Sequence, residues 1–436
     1  MRVMEILKSA EITDKTEGSS LISLFSLWDG MVRALCPVLR PEKSLLGSPK
    51  LGGFNMNIGQ FRKYCTKNFN MGTWGGKIQD KRRRPEIPAG EIFESISYMP
   101  VLGQRSLLEL DEFSRTPEAR KWYGTDRDMV ASDTTVERVA GGFMRQSIQD
   151  IGYEMIDSAD QEALWDLKLP SGKKLRFGIV DGHWAGGLWA SVLAVSGKTD
   201  GVVDLERYPG RGHELSATRR LLKRAFRKLG KGFFGIVAGD GLYATKEDFE
   251  LCLDHGSHLL VKTDEEGLAA IQDACYLFRC EDGLHLEGSD AKRHMEYEVT
   301  WTEGIEWQGL SLTVAHVEEH HLRPAKDEPE DIEFWVLTTA TGFTGEDLRE
   351  LAHLRWEIEN NIFKRLNHLV GSKRPWSHKP KVMEMLLRIW MIGLTLLGAY
   401  LFQEGWICFK QTWESVKKTW RAVTRLMKRS LLLLAT

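Results

Sequence analysis

Hydrophobic and polar positions divide the chain into a helical first part and a middle part with the spacing of strands. We predict a mainly helical N-terminal region at residues 1–172, with "MGTWGGKIQDKRRRPEIPAG", Met71 to Gly90, as a loop or linker. From Lys174, apolar runs separated by short turns predict three strands, in "LRFGIVDGHW", "GLWASVLAV" and "GVVDLERY". Their short connections indicate an antiparallel meander.

Helices and strands alternate farther along the chain. We predict a helix from Glu214 to Leu229, a strand in "GFFGIVAGDG", a helix in "TKEDFELCLDHG" and a strand in "HLLVKT". Residues 265–333 alternate in the strand manner and predict a β-rich insertion, after which "FWVLTTA" predicts another strand. A long helix follows Thr344, which with Asp347 forms a possible capping box. The prediction is an α/β protein: a mixed sheet flanked by helices at 173–264 and 334–402, with a basic helical segment at 403–436.

Composition changes this picture little. The chain has 436 residues, 42% of them hydrophobic and 28% charged, with a net charge of −2, so bulk charge indicates no polyanionic partner. Its six cysteines are scattered without paired spacing, which predicts a thiol-reduced, cytoplasmic protein. The uncharged run from Ile389 to Phe402 is shorter than the roughly 20 residues that span a bilayer, so we predict a buried core helix and no membrane partner.

Three carboxylates stand out against this background. Asp181 and Asp240 each close an apolar run and are followed by glycine, and side chains at strand ends line the ligand crevice of open α/β sheets. For either Asp-Gly pair alone, a simple turn is the favoured interpretation. In "LRWEIENNIFKRLNHL", steps of about 100° place Arg355 and Glu359 within the apolar stripe, and Glu357 on the solvated side. A carboxylate facing the interior requires a partner.

Such a set of carboxylates suits metal ions. Three of them can hold two divalent cations about 4 Å apart for in-line phosphoryl displacement, and oxygen ligands favour Mg²⁺ or Mn²⁺ over zinc. Arg355 is able to offset the acidic charge or reach a phosphate, although a plain Arg355–Glu359 pair is the alternative. For His183, two residues after Asp181, we expect a structural role near the site.

Basic residues cluster between Arg207 and Lys231, with nine Lys or Arg and one acid. On the predicted helix they form two columns: Arg219, Lys223 and Arg227, and Arg220, Arg224 and Lys228. A basic helix face is often only solvated, but beside a phosphoryl-transfer site it predicts phosphate contacts. Lys262, at the end of a strand, is a further candidate. In the basic segment from Lys410 to Arg429, Trp413 and Trp420 are expected to pack in the core rather than stack on bases.

Three motifs carry a family resemblance: "IVDGHW", "VAGDGLYA" and "LRWEIENNIFKRL". Together they resemble the DDE insertion-sequence transposases whose third acid lies in a helical Y-(2)-R-(3)-E-(6)-K motif, over about Ala131 to Phe402. The resemblance implies a ribonuclease H-like catalytic domain in which Asp181, Asp240 and Glu359 hold two Mg²⁺ ions, with Mn²⁺ as a substitute. Arg355 takes the motif arginine. Ala352 stands in place of the motif tyrosine, and Leu366 stands in place of the motif lysine. Lys364 or Arg365 is a candidate to contact the DNA in place of that lysine.

The resemblance also implies an activity and partners. It predicts a cut-and-paste transposase, DNA-associated in a prokaryotic cytoplasm, which acts as a homodimer on terminal inverted repeats and target DNA. By analogy alone, the N-terminal region recognises the DNA end, and Trp301 or Trp307 of the insertion either packs in the sheet or stacks on a flipped base. Two alternatives remain open: a metal-dependent nuclease on the same fold, and a catalytically inactive, transposase-derived DNA-binding protein.

Overall fold

The chain is described by a computed structural model at residues 58–117, 119, 131–161, 163–280, 283–291, 293–324, 329–403, 424 and 427. The predictions for the first 57 residues lie outside the described residues, as do nearly all of those for the basic segment at 403–436, including Trp413 and Trp420.

Helices make up the regular structure of the described residues before 162, as predicted. These helices are α1 (Ile58–Phe69), α2 (Trp74–Lys77), α3 (Ala89–Leu102), α4 (Leu107–Ser114), α5 (Asp133–Gly142) and α6 (Arg145–Gln161). The prediction of a loop from Met71 to Gly90 is wrong at its start, because Trp74 is fully buried and packs edge-on against Phe93. Gly75 and Gly90 let two backbones meet, since a Cβ on Gly90 would lie 2.4 Å from the Gly75 Cα.

A nine-stranded mixed sheet forms the centre of the molecule. A two-stranded hairpin, β1 (Leu167–Lys168) and β2 (Lys174–Leu175), precedes it. The strands of the large sheet are β3 (Phe177–Ala185), β4 (Leu188–Ser196), β5 (Asp200–Tyr208), β6 (Ile236–Asp240), β7 (His258–Thr263), β8 (Leu284–Asp290), β9 (Met295–Trp307), β10 (Leu310–His321) and β11 (Asp331–Thr338). Their spatial order is β5-β4-β3-β6-β7-β11-β10-β9-β8.

The order and direction of these strands confirm the predicted fold class. Strands β3, β4 and β5 form the expected antiparallel meander, and β6 and β7 continue it in parallel with β3. This is the ribonuclease H-like arrangement. The strands of the β-rich segment extend the same sheet through β11, which pairs antiparallel with β7.

Helices pack around the sheet after its first three strands. They are α7 (Glu214–Leu229), α8 (Lys246–Asp254), α9 (Ala269–Arg279), α10 (Gly345–Arg355), a π-helix (Ile358–Phe363), α11 (Lys364–Val370) and α12 (Pro380–Gln403). The capping box of α10 is present, with the Thr344 hydroxyl accepting from the Asp347 N–H and the Asp347 carboxylate accepting from the Thr344 N–H.

Helix α12 is a core helix, as predicted. It is long and apolar enough to cross a bilayer, but 94% of its most apolar window is buried inside the protein. Gly393 allows α12 to cross α3 closely, because a Cβ there would lie 2.0 Å from the Ser97 carbonyl oxygen.

A buried ionic cluster ties α12 and α7 to the edge of the sheet. Asp204 on β5 accepts hydrogen bonds from Arg388 of α12, from Arg224 of α7 at 2.7 Å and from the Tyr153 hydroxyl at 2.9 Å. Burial alone would raise the pKa of Asp204, but the two guanidinium groups outweigh it and lower that pKa. The carboxylate therefore holds three elements together as an anion.

Removing the Asp204 carboxylate should destabilise the protein strongly. Asp204→Ala leaves Arg388 and Arg224 buried without their shared counter-ion, so we expect a loss of about 3–5 kcal/mol in the free energy of unfolding. Urea denaturation followed by circular dichroism measures it. The matched control is Asp150→Ala, which breaks the exposed pair with Lys228 and should cost less than about 1 kcal/mol. Equal losses in the two variants would contradict this account of the cluster.

Candidate active site

Asp181 and Asp240 lie on neighbouring parallel strands and point to the same face of the sheet. Strand β3 pairs with β6 in a register that sets Ile179 opposite Ala238, so two residues later the aspartates have equivalent positions. Asp240 closes β6, as predicted, and its carboxylate accepts from the Leu242 N–H at 3.0 Å. The prediction that Asp181 closes its strand is wrong, because β3 continues to Ala185.

Gly182 is therefore a strand residue rather than a turn. A Cβ on Gly182 would lie 2.2 Å from a carboxylate oxygen of Glu214, the first residue of α7. The glycine is needed because the Glu214 side chain occupies that space behind Asp181. The turn explanation of this Asp-Gly pair does not hold.

The helix that carries Glu359 changes its geometry at the site. Residues Ile358 to Phe363 form a π-helix, which has more residues per turn than an α-helix. Steps of about 100° per residue therefore assign the side chains in and after this segment to the wrong faces of the helix. The predicted positions of the two glutamates are consequently wrong: Glu359 is exposed on the site face, with 49% of its side chain accessible. Glu357 turns inward instead and accepts a hydrogen bond from the Ser196 hydroxyl at 2.9 Å.

The inward position of Glu357 makes its carboxyl group a weaker acid. Burial, followed by the nearby charge of Asp200, raises the pKa of Glu357 to about 8. Asn361, predicted on the polar side, is also buried.

One guanidinium group joins the three predicted metal ligands. Arg355 Nη1 lies 2.8 Å from Glu359 Oε1, and Arg355 Nη2 lies 3.7 Å from Asp181 Oδ1 and 3.4 Å from Asp240 Oδ2. The two aspartate oxygens can thus be no more than 7.1 Å apart, the sum of their distances to the same nitrogen atom. Folding brings together acids that are 178 positions apart along the chain, from Asp181 to Glu359.

The acidic cluster carries more negative than positive charge. Burial raises the pKa of Asp181 to about 7; Arg355 opposes this shift, while Glu359, Asp240 and Glu214 add to it. A cation among these carboxylates would relieve the repulsion, and the all-oxygen donor set suits a hard divalent ion. The residues present therefore fit Mg²⁺ or Mn²⁺.

The oxygen atoms of the triad lie farther apart than the ligand atoms of a closed metal site. Among the described residues, only His285, Glu287 and Glu298 form a group of such side chains with ligand atoms all within 4.8 Å of one another. That group is exposed on β8 and β9, away from β3 and β6. In the acidic triad, the Arg355 guanidinium lies between the side chains.

A polar network supports the site from the opposite face of the sheet. The carboxylate of Glu214 accepts hydrogen bonds from the hydroxyls of Tyr208 at 3.0 Å and Tyr243 at 2.8 Å. Tyr243 reaches it by folding over Gly239, where a Cβ would lie 2.5 Å from the ring. Glu214 thus connects the segment that follows Asp240 to the back of Asp181. Sequence reasoning missed it, although the tyrosine of "GDGLYA" was a signal.

Most of the predicted DNA-binding face of α7 is paired within the protein. The pairs are Arg219 with Asp248, Arg220 with Glu206, Arg224 with Asp204 and Glu206, and Lys228 with Asp150. Of the six predicted cations, Lys223 and Arg227 are exposed and form no ion pair with the described residues. The helix offers much less free positive charge than its sequence indicates.

Two other predicted phosphate contacts point into the protein. The Lys262 ammonium lies 3.6 Å from the Phe334 ring centroid and 3.3 Å from that of Trp356, and burial lowers its pKa to about 7. Arg365 is buried and pairs with Asp200 at 3.2 Å. These enclosed positions do not support phosphate contacts. Lys364 is exposed and donates to the Asn360 side chain.

His183, Trp301 and Trp307 pack within the protein. His183 is buried and stacks on Phe363 of the π-helix at 4.0 Å between ring centroids, and burial lowers its pKa to about 4. Trp301 and Trp307 are each less than a tenth exposed, which agrees with the expected packing in the sheet.

A ribonuclease H-like sheet with two aspartates on neighbouring strands and a glutamate on an adjoining helix defines the class of protein. Residues 172–393, which are 222 of the 436 residues, match the family model of the transposase DDE domain. The chain belongs to that family of transposases. Among solved structures it is similar to a piggyBac transposase in a synaptic complex with hairpin DNA, at 10% identity and a TM-score of 0.38, over 89% of this chain and 84% of that one. No curated protein matches the sequence.

Neutralising Asp181 should stabilise the metal-free protein at alkaline pH. The pKa of Asp181 is higher in the folded than in the unfolded state, so its ionisation lowers stability as pH rises from about 4 to about 7. In chelator, we expect Asp181→Asn to melt at least about 2 °C higher than wild type at pH 8, with less than half that difference at pH 5. Asp240→Asn is the control, because its carboxylate is 40% exposed. An equal gain at both pH values would contradict the assignment.

The Glu214 network should contribute to stability because the Glu214 carboxylate accepts hydrogen bonds from two tyrosine hydroxyls. Glu214→Ala leaves the Tyr208 hydroxyl without its partner and removes one from Tyr243, so we expect a loss of about 1–3 kcal/mol in urea unfolding. Glu214→Gln retains an acceptor oxygen and should lose less than half as much. A larger loss for the glutamine variant would contradict the hydrogen-bonding role.

Proposed function

We propose that this protein is a divalent-metal-dependent DNA transposase that cuts at transposon ends and joins the freed end to target DNA. The observation that supports this most directly is the meeting of Asp181, Asp240 and Glu359 around Arg355, within a chain of the transposase DDE domain family. The proposed substrates are terminal inverted repeats and target DNA, handled by a homodimer because two DNA ends must be handled together.

Asp181, Asp240 and Glu359 would hold two Mg²⁺ or Mn²⁺ ions. When bound, such ions activate the attacking water or 3′-hydroxyl oxygen and stabilise the leaving oxygen of the phosphodiester. Asp181 is the most enclosed of the three ligands, since its side chain is 11% exposed against 40% for Asp240 and 49% for Glu359. It is the side chain proposed to be shared by both ions.

Arg355 has two parts in this proposal. Without cations, its guanidinium keeps three like charges together, because each carboxylate contacts one of its terminal nitrogens. With cations bound by the carboxylates, the same guanidinium would be repelled by those cations and would be available for a phosphate. Arg355 would thus hold the three carboxylates together in the metal-free protein and contact a phosphate of the DNA in the metal-bound one.

The proposal predicts metal-dependent cleavage that requires all three acids. With Mg²⁺ or Mn²⁺ and DNA carrying the element's ends, wild type should nick the ends, and Asp181→Asn, Asp240→Asn or Glu359→Gln should lower the rate at least about 100-fold. Mn²⁺ should also raise the melting temperature of wild type and not of Asp181→Asn. Glu247→Gln, an exposed acid on α8, is the control for both measurements. Full activity in the three acid variants would overturn the proposal.

The two alternatives are separated by the same preparation. Precut ends supplied with a target plasmid are joined by a transposase and not by a nuclease. The loss of the motif tyrosine and lysine at Ala352 and Leu366 leaves the inactive DNA-binding protein as the second alternative. That alternative predicts DNA binding and no nicking by wild type with either metal.

A further inference from the structure

Residues 371–381, "GSKRPWSHKPK", form the loop between α11 and α12 together with the first two residues of α12. This loop contains Lys373, Arg374, Lys379 and Lys381 and no acid. All four side chains are exposed.

The loop lies beside the acidic cluster. It covers the turn between β3 and β4, where a Cβ on Gly186 would lie 2.6 Å from the Arg374 carbonyl oxygen, and Gly186 has a φ of +54°. The strand that leads into this turn also carries His183, which stacks on Phe363 of the π-helix that bears Glu359, so the loop borders the site.

The cations of this loop are largely free. Within the part of the chain that the structure describes, Lys373, Arg374 and Lys381 form no ion pair, and Lys379 has only a 3.6 Å contact with Glu137. Four of the six predicted cations of α7, in contrast, are matched by acids of the same chain. Free positive charge at the site is therefore concentrated on the loop.

An exposed tryptophan lies beside the loop that carries these cations. Trp184 is 41% exposed, three residues after Asp181 on β3, and it lines a cleft with Leu188, Pro375, His378 and Met383. An aromatic face between apolar walls and next to unpaired cations suits a nucleic-acid base attached to a phosphate backbone. Bases stack on such rings whatever their sequence, and nearby cations contact the phosphates.

We propose that Trp184, Lys373 and Arg374 form a binding surface for an unpaired stretch of DNA strand next to the acidic cluster. Lys373 and Arg374 contact its phosphates, and the Trp184 indole stacks on one of its bases. The inference rests on the proposed function in that DNA is the substrate, and it names the surface that holds the strand. Duplex DNA alone would use the two cations and leave the indole without a partner.

Phosphate contacts by the loop are tested by binding alone. Fluorescence anisotropy with full-length protein, chelator and labelled DNA of arbitrary sequence, either blunt or with a short single-stranded overhang, gives the affinity as a function of KCl concentration. Lys373→Ala/Arg374→Ala should weaken binding to both DNAs and reduce the slope of log affinity against log salt by about 1.5–2, the value for two lost phosphate contacts.

The matched variant removes two free cations from the α7 face. Lys223→Ala/Arg227→Ala changes the net charge equally, and we expect its affinity loss to be at least about fivefold smaller than that of the loop variant. An equal or larger loss for the α7 variant, or an unchanged salt slope for the loop variant, would overturn the proposal. Thermal melting verifies that both proteins are folded.

Stacking is tested by the difference between the two DNAs. One base stack contributes about 1–3 kcal/mol, so Trp184→Ala should weaken overhang binding by about 5- to 100-fold and blunt binding by less than about twofold. Trp184→Phe keeps an aromatic face and should recover most of the loss. Equal effects of Trp184→Ala on both DNAs would exclude the base-stacking role. Because no cleavage is measured, a catalytically inactive protein that binds in this manner would refute the proposed function and leave the surface intact.

Discussion

Repulsion among carboxylates is the constraint on which the site depends. Asp181, Asp240 and Glu359 come from two strands and a π-helix, and a single guanidinium, Arg355, contacts all three. Burial, to which the charges of Glu359 and Asp240 add, raises the pKa of Asp181 to about 7 even with Arg355 beside it. One positive charge cannot neutralise three negative ones, so the cluster keeps an excess of negative charge.

Fixing such a cluster requires rigid support, and the polar network behind the sheet supplies it. Gly182 and Gly239 leave room on the face opposite the aspartates, and Glu214 and Tyr243 fill that room and hydrogen-bond to each other. The strand that carries Asp181 and the segment that follows Asp240 are linked there. Gly182 and Gly239 are explained by packing against this network, whereas Gly241 begins a 3₁₀ turn that Asp240 caps.

The sequence predicted the elements better than the orientation of individual side chains. The mixed sheet, the helix from Glu214 to Leu229 and the capping box at Thr344 depend on local patterns, and these were correct. The exchange of Glu357 and Glu359 between interior and surface was not predictable with constant helical steps, because the π-helix interrupts them.

The sequence overstates the free positive charge on α7 for a different reason. Its acidic partners lie on other elements, with Asp204 and Glu206 on β5 and Asp248 on α8, and only tertiary structure reveals those pairings. The basic residues of one helix therefore include cations that acids on neighbouring elements neutralise in the folded protein. The loop at 371–381 escaped notice because its cations are few and lack helical spacing.

The charged clusters of the protein differ in whether their carboxylates are balanced by cationic side chains. Asp204 has two guanidinium partners, Arg388 and Arg224, so its charge is satisfied inside the protein. Glu319 likewise has Arg349 and, at 2.6 Å, His353. The triad has the reverse ratio, three carboxylates to one arginine, and two of its acids are open to solvent. Among these three clusters, it alone has more carboxylates than cationic partners. In the proposed function, divalent cations would supply the missing positive charge, and the free cations of the neighbouring loop would receive the phosphates.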